Sequence, residues 1–259
     1  MTSINFDVDE TEGYRLNGMP IFTDSMDRLV EEVAALSDVS EPALIVTPNV
    51  DQILILQESE LFSEAFSHAS LRIVDGMPLK ILARLLGQKN VHRNTGADLL
   101  PAVCASPLFS GRSIVITGGR DDVLAEAAEK LSRDNPHAKI VGIPFPLLDG
   151  VDDPRSLDTI EALTSAEPDV VFLCLGAPKQ ETWFMHWRYS LPPAVYIGTG
   201  AAVDFAAGSV RRAPQWMQNS GLEWLFRLSD DPSRLAKRYL VRGPRVLPIF
   251  VRSLLPRRR

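Results

Sequence analysis

The chain is punctuated by short runs that are apolar at nearly every position. Ala43 to Val46, Ser113 to Thr117, Asp169 to Leu175 and Ala194 to Gly198 are rich in Val, Ile and Leu and show no polar alternation. Runs of this kind mark parallel strands buried on both faces. Leu71 to Val74 and Lys139 to Gly142 read as two more strands. Between the strands the period becomes helical. Met26, Leu29, Val30, Val33 and Leu36 share one face of a packing helix, with Asp24 or Ser25 placed to cap it. Further helices are predicted over 50–58, 61–69, 79–86, 122–132 and 154–165, with others starting at Leu99 and after Pro178. Strand and helix alternate at least five times. The pattern predicts an α/β fold, a mostly parallel Rossmann-like sheet with helices on both faces. Residues 1–20 are mainly polar and are read as a segment lying on the surface.

Each apolar strand runs into polar or glycine residues: Thr47-Pro48-Asn49, Asp75-Gly76-Met77-Pro78, Gly118-Gly119-Arg120, Gly176 through Glu181, and Gly198-Thr199-Gly200 with Asp204. In a parallel sheet these turns gather on one edge and form one cleft, the place where open α/β sheets bind ligands. Asp75 has two readings at this stage. It either caps the helix that follows, as Asp often does, or stands as a functional carboxylate at a strand mouth. Gly118 and Gly119 join a buried strand to a helix N-terminus, a corner suited to an anion such as a phosphate. Their spacing does not match a dinucleotide fingerprint. The polar loop 87–98 carries Arg93, which is either a phosphate partner or a solvated charge.

Composition narrows the picture in three ways. A chain of 259 residues buries a substantial core without cross-links. Its two cysteines, Cys104 and Cys174, lie in apolar surroundings at no metal-ligand spacing and read as buried free thiols. The N-terminus lacks the basic start and apolar core of a signal peptide, and no apolar run approaches the roughly 20 residues of a membrane-spanning helix.

Charge is divided unevenly. From Gly208 onward there are twelve basic and three acidic residues, a net of +9, which leaves 15 basic and 30 acidic residues, about −15, before it. The expected organisation is an α/β catalytic domain over 1–207 and a basic helical C-terminal appendage over 208–259. In the appendage Leu235, Tyr239 and Leu240 share a helix face with Arg234, Lys237 and Arg238 around it. Such a basic amphipathic segment suits an anionic membrane surface. A tail that binds nucleic acid, or one that folds back on the acidic body, is the competing reading. Ile249, Phe250, Val251, Leu254 and Leu255 favour the membrane, and no nucleic-acid partner is expected. The same apolar tail could pair subunits into a homo-oligomer.

The motifs taken together resemble the WecG/TagA/CpsF glycosyltransferases, glycosyltransferase family 26. The resemblance runs from Thr47 to Tyr239. It is carried by Thr47-Pro48-Asn49, Val74-Asp75-Gly76, Arg93 with Thr95-Gly96-Ala97-Asp98, Gly118-Gly119, Gly176 through Glu181, Gly198 to Gly200 with Asp204-Phe205, Arg212-Ala213-Pro214, and Gly221-Leu222-Glu223-Trp224 through Arg227, Pro232, Arg234 and Arg238-Tyr239. It implies an inverting transfer of a sugar, of N-acetylmannosamine type or a hexose, from a UDP-sugar donor to a polyprenyl-diphosphate-linked acceptor. The place it implies is cytoplasmic, peripheral on the inner face of the cell membrane, and no cofactor is expected. Carried over residue by residue, the resemblance makes Asp75 the catalytic base. Thr47, Asn49, Arg93, Gln180 and Asp204 become contacts to nucleotide and sugar, and Arg227 and Arg234 reach the diphosphate or close the site.

Direct displacement at an anomeric carbon needs a base for the acceptor hydroxyl and stabilisation of the departing diphosphate. The only Asp-x-Asp sequence is Asp7-Val8-Asp9, ahead of any buried strand, and it reads as surface charge rather than a metal site. Arginines and backbone N–H groups, with Arg93, Gly118 and Gly119 among them, are therefore expected to take the phosphate charge. Two other classes fit the sequence: another nucleotide-dependent α/β enzyme, and a non-catalytic membrane-anchored scaffold for polysaccharide assembly.

Overall fold

The structure, a computed structural model, describes residues 4–255, so the terminal Arg257-Arg258-Arg259 lies outside the described residues. It opens with a three-stranded antiparallel sheet: β1 (Phe6–Asp9), β2 (Gly13–Leu16) and β3 (Met19–Pro20). This corrects the surface reading of residues 1–20. Phe6, Tyr14 and Leu16 are fully buried, while Asp7, Asp9 and Arg15 alternate with them. Alternation at a period of two gives a polar average and one buried face. Arg15 bridges Asp7 and Asp9 at 3.1 Å each, so the Asp-x-Asp sequence is engaged in ion pairs.

The main sheet follows. Helix α1 (Met26–Leu36) is capped by Ser25, and strand β4 (Ala43–Val46) leads to α2 (Val50–Glu58) and α3 (Glu60–His68). Strand β5 (Leu71–Arg72) precedes α4 (Met77–Leu85) and α5 (Gly96–Ala105). Then come β6 (Ser113–Thr117), α6 (Asp121–Asp134), β7 (Lys139–Ile143) and α7 (Ser156–Ala166). Strand β8 (Val170–Leu173), α8 (Lys179–Trp187), β9 (Val195–Gly198) and α9 (Ala202–Ala207) complete the body. The six strands pair parallel in the order β5-β4-β9-β8-β6-β7.

Alternate residues of each strand supply two separate cores. Leu44, Val46, Val115, Val171, Leu173 and Tyr196 pack with α2, α3, α7 and α8 and with the N-terminal sheet. Ile45, Ile114, Ile116, Phe172, Val195 and Ile197 pack with α1, α5, α6 and α9. Helices therefore cover both faces, and every strand C-terminus opens on the same edge. From β4 the chain winds outward to β5, and from β6 it winds outward the other way to β7. Strands β8 and β9 fill the middle, so the crevice lies where the winding reverses.

Gly208, in a left-handed conformation with φ +89°, ends α9 and starts the basic segment. That segment forms α10 (Gln215–Ser220), α11 (Glu223–Asp230), α12 (Pro232–Ala236), a π-helical turn (Lys237–Arg242), a 3-10 turn (Gly243–Val246) and α13 (Leu247–Leu254). The charge asymmetry is partly satisfied within the molecule. Arg238 and Arg242 pair with Asp51 at 3.2 and 2.7 Å, and Arg242 and Arg245 pair with Glu58 at 2.6 and 3.2 Å. Ile249, read from the sequence as facing a membrane, is buried against the body, and the Phe250 ring meets that of Phe6 in a T-shaped contact. Leu240, Val241, Leu247, Val251, Leu254 and Leu255 remain exposed. Among the described residues no helix is long and apolar enough to cross a membrane. Cys104 and Cys174 are buried free thiols.

Candidate active site at the carboxyl edge of the sheet

Asp75 follows the short edge strand β5 and does not cap α4. That helix has no side-chain cap, and Gly76 makes the turn into it at φ +108°. The capping alternative is therefore excluded by the geometry. The backbone N–H of Asp75 donates to Pro48 O at 3.1 Å, and Asn94 N–H donates to Val74 O at 2.9 Å. These bonds fix the Asp75 turn between the end of β4 and the loop that carries Arg93. The carboxyl is half-buried among Arg93, Asp98, Glu223 and Arg227, and burial above all pushes its pKa up to about 7. Arg93 and Arg227 draw the value down, and Glu223 and Asp98 push it up.

The other sequence-predicted residues fall on the same edge in different roles. Thr47 Oγ1 donates to Gly198 O at 2.8 Å, tying the end of β4 to that of β9. Asn49 caps α2, its Oδ1 accepting from Asp51 N–H at 3.0 Å and Gln52 N–H at 3.3 Å. Gln180 lies beneath the site at 1 % exposure. Its Oε1 accepts from the N–H groups of Gly176 and Gly200, both at 3.1 Å, and so ties together the turns after β8 and β9. Gly118 and Gly119 adopt φ +97° and +81°. A Cβ on Gly118 would stand 2.7 Å from Leu175 Cδ2 and 2.9 Å from the Cys174 carbonyl oxygen, so the turn accepts no side chain there. With Phe145, Leu148, Lys179 and Trp183 these glycines line a cavity of about 430 Å³ beyond β6, β7 and β8.

Arg93 is not a solvated charge. Its Nη1 lies 2.9 Å from Glu223 Oε2, and its side chain is 13 % exposed. Arg227 stands over the Phe205 ring of α9 at 5.5 Å, and Arg212 stands over the same ring at 5.1 Å. Asp204 is half-buried and its pKa is raised by burial, with Arg234, Arg120 and Arg227 drawing it back. Arg234 itself is exposed and pairs with Asp231 at 2.7 Å. Asp75, Arg93 and Arg227 thus form one electrostatic cluster, and Asp204, Arg227, Arg234 and Arg120 form its neighbour. Among the described residues no three His, Cys, Asp or Glu side chains converge as a metal site.

Sequence reasoning gave no role to Glu181. It is fully buried, and its Oε1 accepts from Gln180 Nε2 at 2.8 Å and Gln52 Nε2 at 3.2 Å, while Oε2 has no partner. Burial pushes its pKa up to about 7. The motif Gln180-Glu181 opening a tryptophan-rich helix was the available signal, but only packing shows that the carboxyl points inward. An acid with a raised folded pKa binds more protons folded than unfolded, so it costs stability as pH rises from the ordinary carboxylate range through about 7. Glu181→Gln cannot titrate. Its melting temperature relative to wild type should therefore climb between pH 5 and 8, by the equivalent of up to roughly 3 kcal/mol. A difference that stays flat across that range would contradict the burial of an ionisable group.

Fold and site together define a Rossmann-like protein whose candidate site lies at the carboxyl edge of the parallel sheet. The chain belongs to the Glycosyl transferase WecG/TagA/CpsF family, whose model matches residues 14–259, and it is a glycosyltransferase. It is similar to a Bacillus subtilis (strain 168) protein, "N-acetylglucosaminyldiphosphoundecaprenol N-acetyl-beta-D-mannosaminyltransferase". The two are 30 % identical over 192 residues, which is 74 % of this chain and 73 % of the relative.

Proposed function

We propose that this chain transfers a sugar of N-acetylmannosamine type, with inversion, from a UDP-sugar to a polyprenyl-diphosphate-linked saccharide. The observation that carries the reading is the half-buried Asp75 carboxyl, raised to about 7 and bordered by Arg93 and Arg227. The printed name of the Bacillus subtilis relative supports the acceptor class. In the proposed step an oxygen of the acceptor hydroxyl bonds to the anomeric carbon as that carbon's bond to the UDP oxygen breaks. The hydroxyl proton goes to Asp75, and the electron pair leaves with the diphosphate. Arg93 and Arg227 offer charge-assisted hydrogen bonds to the leaving group. The cavity at Gly118 and Gly119 is large enough for part of the nucleotide.

The division into a catalytic body over 1–207 and a membrane-associating appendage over 208–259 belongs to the same proposal. The exposed Leu247, Val251 and Leu254 of α13 lie with Arg252 on a helix whose Ile249 faces the body, a division suited to the interface of an anionic membrane on the cytoplasmic side. The experiment is product analysis after incubation with UDP-sugar and lipid-linked acceptor in EDTA. A new lipid-linked disaccharide with inverted anomeric configuration is the expected product. Transfer that vanishes in EDTA and returns with added metal would overturn the arginine-based account of the leaving group.

A further inference from the structure

The seam between body and appendage runs beside Asp75, and four charges alternate along it. Arg93 Nη1 lies 2.9 Å from Glu223 Oε2, Glu223 Oε1 lies 3.8 Å from Arg212 Nε, and Arg212 Nη1 lies 3.0 Å from Asp98 Oδ1. Asp98 and Arg212 are each held by a further bond. Thr95 Oγ1 donates to Asp98 Oδ2 at 2.6 Å, and Arg212 Nη2 donates to Gln218 Oε1 at 3.1 Å. Glu223, 16 % exposed, is the member that faces both arginines. Its backbone is equally well placed. Glu223 opens α11 two residues after Gly221, where a Cβ would stand 3.0 Å from Met77 Cβ. Met77 in turn follows Asp75 by two residues, so the turn that delivers Glu223 is seated on the turn that delivers Asp75.

We propose that Glu223 is a positioning residue of the transfer site, the appendage carboxylate that bridges Arg93 and Arg212 and sets its negative charge against Asp75. The inference rests on the reading of Asp75 as the base. Glu223 engages one guanidinium nitrogen of Arg93 end-on and leaves the others to face an incoming diphosphate. An appendage displaced from the body removes that carboxylate together with Arg227, so docking sets the basicity of Asp75 as well as closing the site. The charged groups acting on Asp75 come from two sides: Arg93 and Asp98 from the loop and helix α5, and Glu223 and Arg227 from α11.

The two partners of this ion pair act on Asp75 with opposite signs, so neutralising each one moves its midpoint in the opposite direction. The test is carboxyl ¹³C NMR of the full chain labelled at aspartate, with the Asp75 signal assigned by Asp75→Asn. In wild type it should titrate near pH 7. Glu223→Gln should lower the midpoint by about 0.5 in pH or more, Arg93→Gln should raise it, and the double variant should return it towards wild type. In the transfer assay the acidic limb of kcat/KM should move with each midpoint, and Glu223→Asp should restore the wild-type position. A folded Glu223→Gln whose Asp75 midpoint is unchanged or raised would overturn the proposal. If Glu223→Gln does not fold, a double variant that titrates like Arg93→Gln alone would do the same. The NMR readout needs no turnover, so a wild type that transfers no sugar sinks the proposed function, whereas unshifted midpoints sink the role of Glu223.

Discussion

Asp75→Asn should lower kcat/KM for sugar transfer by about 10²–10⁴-fold, the usual contribution of a positioned general base. The variant should remain folded, because the side chain does not cap α4 and the turn is held by backbone bonds through Asp75 N–H and Val74 O. Replacing a carboxyl that burial holds near 7 also removes the cost of ionising it, so the melting temperature at neutral pH should not fall. The pH profile gives a second check. A base with a raised pKa is protonated and idle in acid, so wild-type kcat/KM should rise with pH through a midpoint near 7. The residual rate of Asp75→Asn should lack that limb. A variant retaining most of its turnover would point to a scaffold or to a different base.

Removing Gly208 to Arg259 should be the other large perturbation, and it should act on stability and activity together. The segment buries Leu235, Val246 and Ile249 and sets Phe250 against the buried Phe6. At about 1.5–3 kcal/mol for each fully buried large apolar side chain, an upper estimate, the body loses several kcal/mol. It also loses the arginine partners of Asp51 and Glu58. Transfer should fall by about 100-fold or more, because Arg227 and Glu223 leave the surroundings of Asp75. Arg227→Gln separates the two effects: it should keep the wild-type melting temperature while losing much of the transfer rate. A truncated chain with full activity and an unchanged melting temperature would remove the appendage from the site.

What the sequence revealed and what it hid divide along a physical line. Strands β4, β6, β8 and β9 were legible because burial on both faces makes an unbroken apolar run, and the glycine turns were legible because positive φ demands glycine at Gly118, Gly119 and Gly200. The N-terminal sheet was hidden because its buried Phe6, Tyr14 and Leu16 alternate with charges, and an averaged reading sees only polarity. The contacts that shape the site were hidden for another reason. Arg93 meets Glu223 across 130 residues of chain, and Arg242 meets Glu58 across 184, and neither pairing leaves a local signal. The basic tail was visible as charge, but its partial return onto the acidic α2 depends on where the fold places Asp51 and Glu58. Gln180 shows the same limit from within a recognised motif. Its position was legible, while its engagement beneath the site with Gly176 and Gly200 required the packed structure.

The most direct test of the account is transfer of labelled sugar from a panel of UDP-sugars to a polyprenyl-diphosphate-linked N-acetylglucosamine acceptor in detergent, run side by side with wild type and Asp75→Asn. The account predicts label in the lipid fraction with UDP-N-acetylmannosamine for wild type, and loss of most of that label with Asp75→Asn. Label that stays in the aqueous fraction with every donor, or that reaches lipid equally well without the Asp75 carboxyl, would contradict it.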